Sequence, residues 1–291
     1  MKLPKLLVSA WVPAYSEELN IPEIMEAYTR PSKSHRKVLR LVAESGGMLQ
    51  IRTNDPAWAD NVVQRVFVEY CTNANIPVLT LVPVLDKSDA KVEKIVEVAR
   101  AYRTVCGAIG GESVLSKKTG TLYKGAQAQE RIDQFARLCQ TLRSVNPSNR
   151  WYLKGTDLAQ SMKAKYKGFD PLTEWQRWRD TFGRAALQPI GVLQALSDDR
   201  VGEAEDEGLS PTTIIAEAAA WCRGQGLEFG VNPINDNLGV SHRSNLSYSI
   251  GDIWSQIKSP VTLGLTTWDR DIEPEEYWGN VLACVDTVRS L

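Results

Sequence analysis

Short apolar runs alternate along the chain with longer stretches in which apolar residues recur at helical spacing. The runs are Lys5–Trp11, Met48–Arg52, Pro77–Val84, Cys106–Glu112, Trp151–Thr156, Ile190–Leu196, Leu227–Asn232 and Val261–Thr267. Each is strand-sized, and each gap holds one helix and two loops. Strands that alternate with helices pair in parallel through crossovers. Eight such units predict an α/β fold of one kind, a (β/α)8 TIM barrel with its active site at the carboxyl ends of the strands. An open doubly wound sheet usually has fewer strands and a glycine fingerprint after the first. Here the first run is followed by Val12-Pro13-Ala14-Tyr15-Ser16, with no glycine.

The helices between the runs carry start signals. Asp55 caps a helix with Pro56 at its first position and Val62, Val63, Val66, Phe67 and Tyr70 on one face. Asp86 opens the next, carried by Val92, Ile95, Val96, Val98 and Ala99. Gln127–Ser144 presents Ile132, Phe135, Leu138 and Leu142, and Ser210-Pro211-Thr212 caps a helix with Ile214, Ile215, Ala218 and Trp221. Glu273-Pro274-Glu275 starts the last helix. No linker or low-complexity stretch interrupts the pattern, so residues 1–291 read as one domain. Asp198–Gly208, rich in acids, reads as an exposed loop after strand six.

Alternate residues of a strand face opposite ways, and in a barrel the helix-facing set is large and apolar. That test sends Leu49, Ile51, Ile109, Trp151, Leu153, Phe229, Val231, Leu263 and Leu265 outward. It leaves Gln50, Arg52, Cys106, Ala108, Gly110, Glu112, Tyr152, Lys154, Glu228, Gly230, Asn232, Gly264 and Trp268 for the lumen. Such a lumen is unusually polar for this fold. An unpaired buried charge costs several kcal/mol, as a rough magnitude, so these groups must pair with each other or with a ligand. The expected pairs are Lys154 with Glu112 or Glu228, and Arg52 with the remaining carboxylate.

Charge and composition narrow the chemistry. Lys plus Arg is 34 against 35 for Asp plus Glu, a net charge of -1, which excludes a polybasic nucleic-acid arm. No apolar run is long enough to cross a bilayer, so no membrane partner is expected. The opening Met1-Lys2-Leu3-Pro4-Lys5-Leu6-Leu7-Val8 is too short an apolar stretch for a signal peptide, so a cytoplasmic protein is expected. The five cysteines are widely spaced with no CxxC pair, which fits a reducing compartment without disulfides. Two histidines cannot build a multi-histidine centre, and no metal or cofactor is expected.

The inferred carboxyl ends of the strands gather the candidate site. The acids are Glu112, Asp157, Asp198, Asp236 and Asp269. Trp11, Tyr15, Arg52, Lys154, Asn232, Asn235 and Trp268 are the candidate binding residues. Several acids facing one pocket suit glycoside hydrolysis, in which one carboxyl protonates the leaving oxygen and a second serves as base or nucleophile. Flat aromatic side chains cover the apolar faces of sugar rings; Trp11, Tyr15 and Trp268 lie at strand ends, with Trp58 and Trp151 near a rim. Trp175, Trp178, Trp221, Trp254 and Trp278 sit in helical patterns and read as core. Glu112 follows Gly110-Gly111, which leaves room for substrate, and is the candidate general acid.

In architecture the pattern resembles (β/α)8 glycosidases, with an acidic residue ending strand four. The chain lacks an Asn-Glu pair on that strand and any Asp-x-x-Asp-x-Asp-x-Glu run. The resemblance implies a carbohydrate substrate and carboxylate catalysis. The rival readings are a Schiff-base aldolase or lyase using Lys154, an Mg²⁺ enzyme with Asp86, Glu112 and Asp157 as ligands, and a non-catalytic carbohydrate-binding or structural barrel.

Overall fold

The computed structural model describes residues 4–9, 26–52, 68–82, 93, 96–97, 99–102, 104–110, 123–154, 172–188, 191–193, 211–231, 262–265 and 273–290. Eight parallel strands close into a barrel in sequence order. They are β1 (Lys5–Ser9), β2 (Met48–Arg52), β3 (Val78–Val82), β4 (Val105–Gly110), β5 (Arg150–Lys154), β6 (Gly191–Leu193), β7 (Glu228–Val231) and β8 (Thr262–Leu265). β8 returns to pair with β1, with Lys5 opposite Thr262 and Val8 opposite Leu265. Each of the eight expected runs overlaps a strand: six contain theirs, and β4 and β5 begin one residue ahead of the run.

Five longer helices pack around the strands: α1 (Lys33–Glu44), α2 (Gly125–Val145), α3 (Leu172–Arg184), α4 (Pro211–Gly224) and α5 (Pro274–Ser290). Their starts follow local chemistry. Ser32 accepts from the backbone N–H of His35 at 3.1 Å and caps α1. Pro211 and Pro274 occupy first helical positions, where their missing N–H is not needed. The first turn of α5 carries Glu275 and Glu276 and its last turn Arg289, each favourable to the helix dipole. α2 has no side-chain cap of its own. Instead the buried Glu174 of α3 accepts from the backbone N–H of Gly125 at 3.0 Å and from Arg177 Nε at 2.8 Å.

The core lies between strands and helices. Leu49, Trp151, Leu153 and Phe229 are buried on the outer face of the sheet, as the alternation predicts, and Leu6 and Val8 of β1 join them through the Val8–Leu49 register. Trp151, expected near a rim, is only 1% exposed and belongs to this layer. Trp175, Trp178 and Trp278 are buried, in keeping with their helical spacing. Trp221 differs: it is half-buried, at the surface between helices.

Strand β4 departs from simple alternation. Val78 pairs with Val105 but Leu79 pairs with Gly107, so Cys106 is an extra residue. Gly107 has φ +153°, and a Cβ there would lie 1.9 Å from the Arg150 carbonyl oxygen. Only glycine lets the two backbones approach this closely. Beyond this bulge, Ile109 is in register with Tyr152, and Gly110 with Leu153. The alternation expected for β4 therefore holds at Cys106, which meets Met48, and shifts by one residue after it.

Candidate functional site

Because all eight strands run the same way in a closed barrel, their carboxyl ends form one rim. Arg52 and Lys154 are the last residues of β2 and β5 on that rim, described through their backbone positions. Glu112, Asp157, Asp198, Asp236 and Asp269 lie outside the described residues. So do Trp11, Tyr15, Asn232, Asn235 and Trp268. The bulge shifts the alternation of β4 after Cys106, so the inward direction expected for Glu112 does not follow from the strand's parity. What stands is its position, two residues beyond the end of β4.

The lumen nearer the amino ends of the strands shows how this barrel accommodates charge. Glu228, the first residue of β7, bonds through Oε1 with Lys5 Nζ of β1 at 2.9 Å. Its Oε2 accepts from the Tyr152 hydroxyl of β5 at 3.4 Å. Arg150 in turn hydrogen-bonds the Tyr152 side chain. These partners sit on alternate strands, so the contact runs across the inside of the barrel in the layered manner of this fold. Cys106 and Met48, on β4 and β2, form an even-strand contact at 3.9 Å. Gly191 of β6 makes room for Glu228: a Cβ there would stand 2.5 Å from its backbone oxygen and 2.8 Å from its Cβ.

The electrostatics follow from this packing. Burial, and then the Glu228 carboxylate, raise the Tyr152 phenol well above its usual range, so it stays a proton donor to Glu228. Burial pushes the Cys106 thiol up to about 11, which keeps it protonated and unreactive near neutral pH. Lys5 and Glu228 keep 31% and 22% of their side-chain surface, so the pair is partly wet and its Coulomb energy screened. Gln50 is buried at 1% exposure and has a partner in the fold.

Both described contacts of Glu228 go to Lys5 and Tyr152, where Lys154 or Arg52 had been the expected partner. The reason is position along the strand: Glu228 begins β7, as Lys5 begins β1, whereas Lys154 ends β5. Lys5 escaped the sequence reading because it lies in the opening stretch weighed as a leader. Its place in the same alternation as Leu7 and Ser9 was the available signal. Among the described residues, no group of three or more His, Cys, Asp or Glu side chains could hold a metal ion. No described helix is long and apolar enough to cross a membrane.

The fold so defined is a TIM barrel, and a solved structure shares it. A psychrophilic glycoside hydrolase family 10 endo-β-1,4-xylanase is similar over 96% of both chains, with 10% identity and a TM-score of 0.55. A sugar phosphate isomerase/epimerase from Parabacteroides distasonis is similar over 98% of both, with 11% identity and a TM-score of 0.47. An intracellular xylanase from Thermoanaerobacterium saccharolyticum covers 91% of this chain and 86% of its own, with 9% identity and a TM-score of 0.48. No family model and no curated protein sequence matches the chain.

Proposed function

We propose that this chain, as one (β/α)8 domain over residues 1–291, is a glycoside hydrolase acting on a poly- or oligosaccharide by carboxylate acid/base catalysis. One observation carries the reading. Five acids follow five successive strands by a few residues each, and those strands end on one rim of a closed barrel. Glu112 comes two residues after β4, Asp157 three after β5, Asp198 five after β6, Asp236 five after β7 and Asp269 four after β8. The active sites of this fold are built from the loops at that rim. The xylanase likeness supports the reading at the level of architecture.

In this mechanism Glu112 holds a proton and delivers it to the glycosidic oxygen. One of Asp157, Asp198, Asp236 and Asp269 acts as base or nucleophile. Lys154 and Arg52, at the ends of β5 and β2, orient the carboxylates and the sugar hydroxyls. Trp11, Tyr15 and Trp268 cover the apolar ring faces, and Asn232 and Asn235 bind hydroxyls. Oxygen donors and planar rings suffice for this chemistry, so no cofactor enters.

The experiment is the Glu112→Gln variant with two kinds of substrate. Turnover of an unactivated glycoside falls by about 10²–10⁴-fold, the usual worth of acid–base assistance. Turnover of an aryl glycoside with a good leaving group, which needs little protonation, falls far less. Equal rates for variant and parent on both substrates remove Glu112 from the role of acid.

A further inference from the structure

A groove with a cavity volume of about 560 Å³ lies on the outer wall of the barrel, across helix α3 between α2 and α4. Its base is one polar stripe of α3: Thr173, Gln176, Arg177, Asp180 and Arg184. By the rise of a helix this stripe is roughly 16 Å long. Gln129 of α2 closes one side and Trp221 of α4 the other. α3 follows β5 and leads back to β6, so the groove runs down the outer side wall of the barrel and not into the lumen.

Three features define what the groove can hold. The first is Trp221, the one described tryptophan that is not buried. The buried Trp175 meets it at 5.9 Å and 74°, and so fixes an apolar ring at the edge of a polar groove. The second is the polar set. Gln176 donates to Asp180 at 2.8 Å, and Gln129 to Thr181 at 3.0 Å, so amide and carboxylate are held in place for hydroxyl groups. The third is charge. Arg177 is held by Glu174 at 2.8 Å, and Asp180 offsets Arg184, so the wall has no net charge to select an ion. A flat indole beside oriented amides, in a groove whose charges offset one another, matches a ligand with apolar ring faces edged by hydroxyls.

We propose that this groove is a second carbohydrate site, which holds a neutral oligosaccharide segment along α3 with one sugar ring on Trp221. This deepens the glycoside hydrolase reading and rests on it for the class of ligand. Such a site would keep a polymer on the enzyme while its chain end or side chain enters the barrel rim.

The test is affinity electrophoresis of the full chain in native gels containing soluble xylan, galactomannan or hydroxyethylcellulose, with polygalacturonate as the anionic comparison. The parent is retarded by at least one neutral polymer. Trp221→Ala weakens that retardation by about tenfold, the scale of one anchoring aromatic. Because Trp221 also packs on Trp175, a Gln176→Ala/Asp180→Ala double variant at exposed positions provides the second arm and weakens retardation in the same direction. Turnover of a short aryl glycoside stays at the parent value in both. Unchanged retardation in the folded variants, no retardation of the parent, or retardation by polygalacturonate alone overturns the site. A parent that cleaves glycosides but whose retardation ignores both variants loses the groove and keeps the hydrolase. A parent retarded through Trp221 that cleaves nothing keeps the groove and loses the hydrolase.

Discussion

His35 shows how much one buried side chain can decide. It is 1% exposed and stacks on Trp278 at 4.1 Å and 3°, with Tyr28 at 5.6 Å and Tyr70 at 5.4 Å closing the cage. Neither ring nitrogen makes a good hydrogen bond among the described residues. Burial therefore lowers its pKa to about 4, and the Ala27 backbone and Glu275 offset this only in part. Between pH 4 and 6.5 the unfolded chain holds a proton on this ring that the folded chain lacks. Stability then falls as pH drops through that interval and levels off below it, by about 3 kcal/mol in all. Glu275, held low by Ser32 and Ser34, bends the curve the same way at more acidic pH. Urea midpoints from pH 7 to 4 should show the slope in the parent, and His35→Phe should flatten it. A parent midpoint constant over that range would contradict the burial argument. At the same scale, Glu228→Ala removes the ion-pair partner of the partly wet Lys5 and the acceptor of the Tyr152 hydroxyl proton. It should cost about 1–3 kcal/mol in the urea midpoint. The hydrolytic turnover should stay the same, since the contact lies toward the amino ends of the strands.

The strands were legible because barrel strands are buried on the helix side and repeat at a helix-sized interval. The helix-facing parity of β2, β5 and β7 could also be read, from Leu49, Trp151, Leu153 and Phe229. What alternation could not show is the extra residue at Cys106, because one inserted position leaves the apolar pattern intact while shifting the register. Gly107 was the local sign, a glycine inside a strand run. Helix α1 was expected only as the helix of its gap, without bounds, although Ser32 and the face Val38, Leu39, Leu41 and Val42 encode it. Gly107→Ala tests the bulge directly. The added methyl meets the Arg150 backbone, so the variant should lose about 1–3 kcal/mol of stability, read by thermal unfolding. Parent-like unfolding would mean that β4 runs without the close approach.

At the scale of the molecule, closure of eight parallel strands explains how residues far apart in sequence meet on one rim. The candidate acids could be chosen from sequence because each follows a strand by only two to five residues. Pairing within the lumen was harder to foresee, since it depends on level along the strands: Glu228 and Lys5 meet because both begin theirs. The proposed reaction is cleavage of glycosidic bonds. Its most direct measurement is release of new reducing ends by the purified chain from neutral β-linked polysaccharides, with Glu112→Gln alongside. The parent should release reducing ends steadily, and the variant about 10²–10⁴-fold more slowly. No release from any such polymer, or equal release by parent and variant, would contradict it.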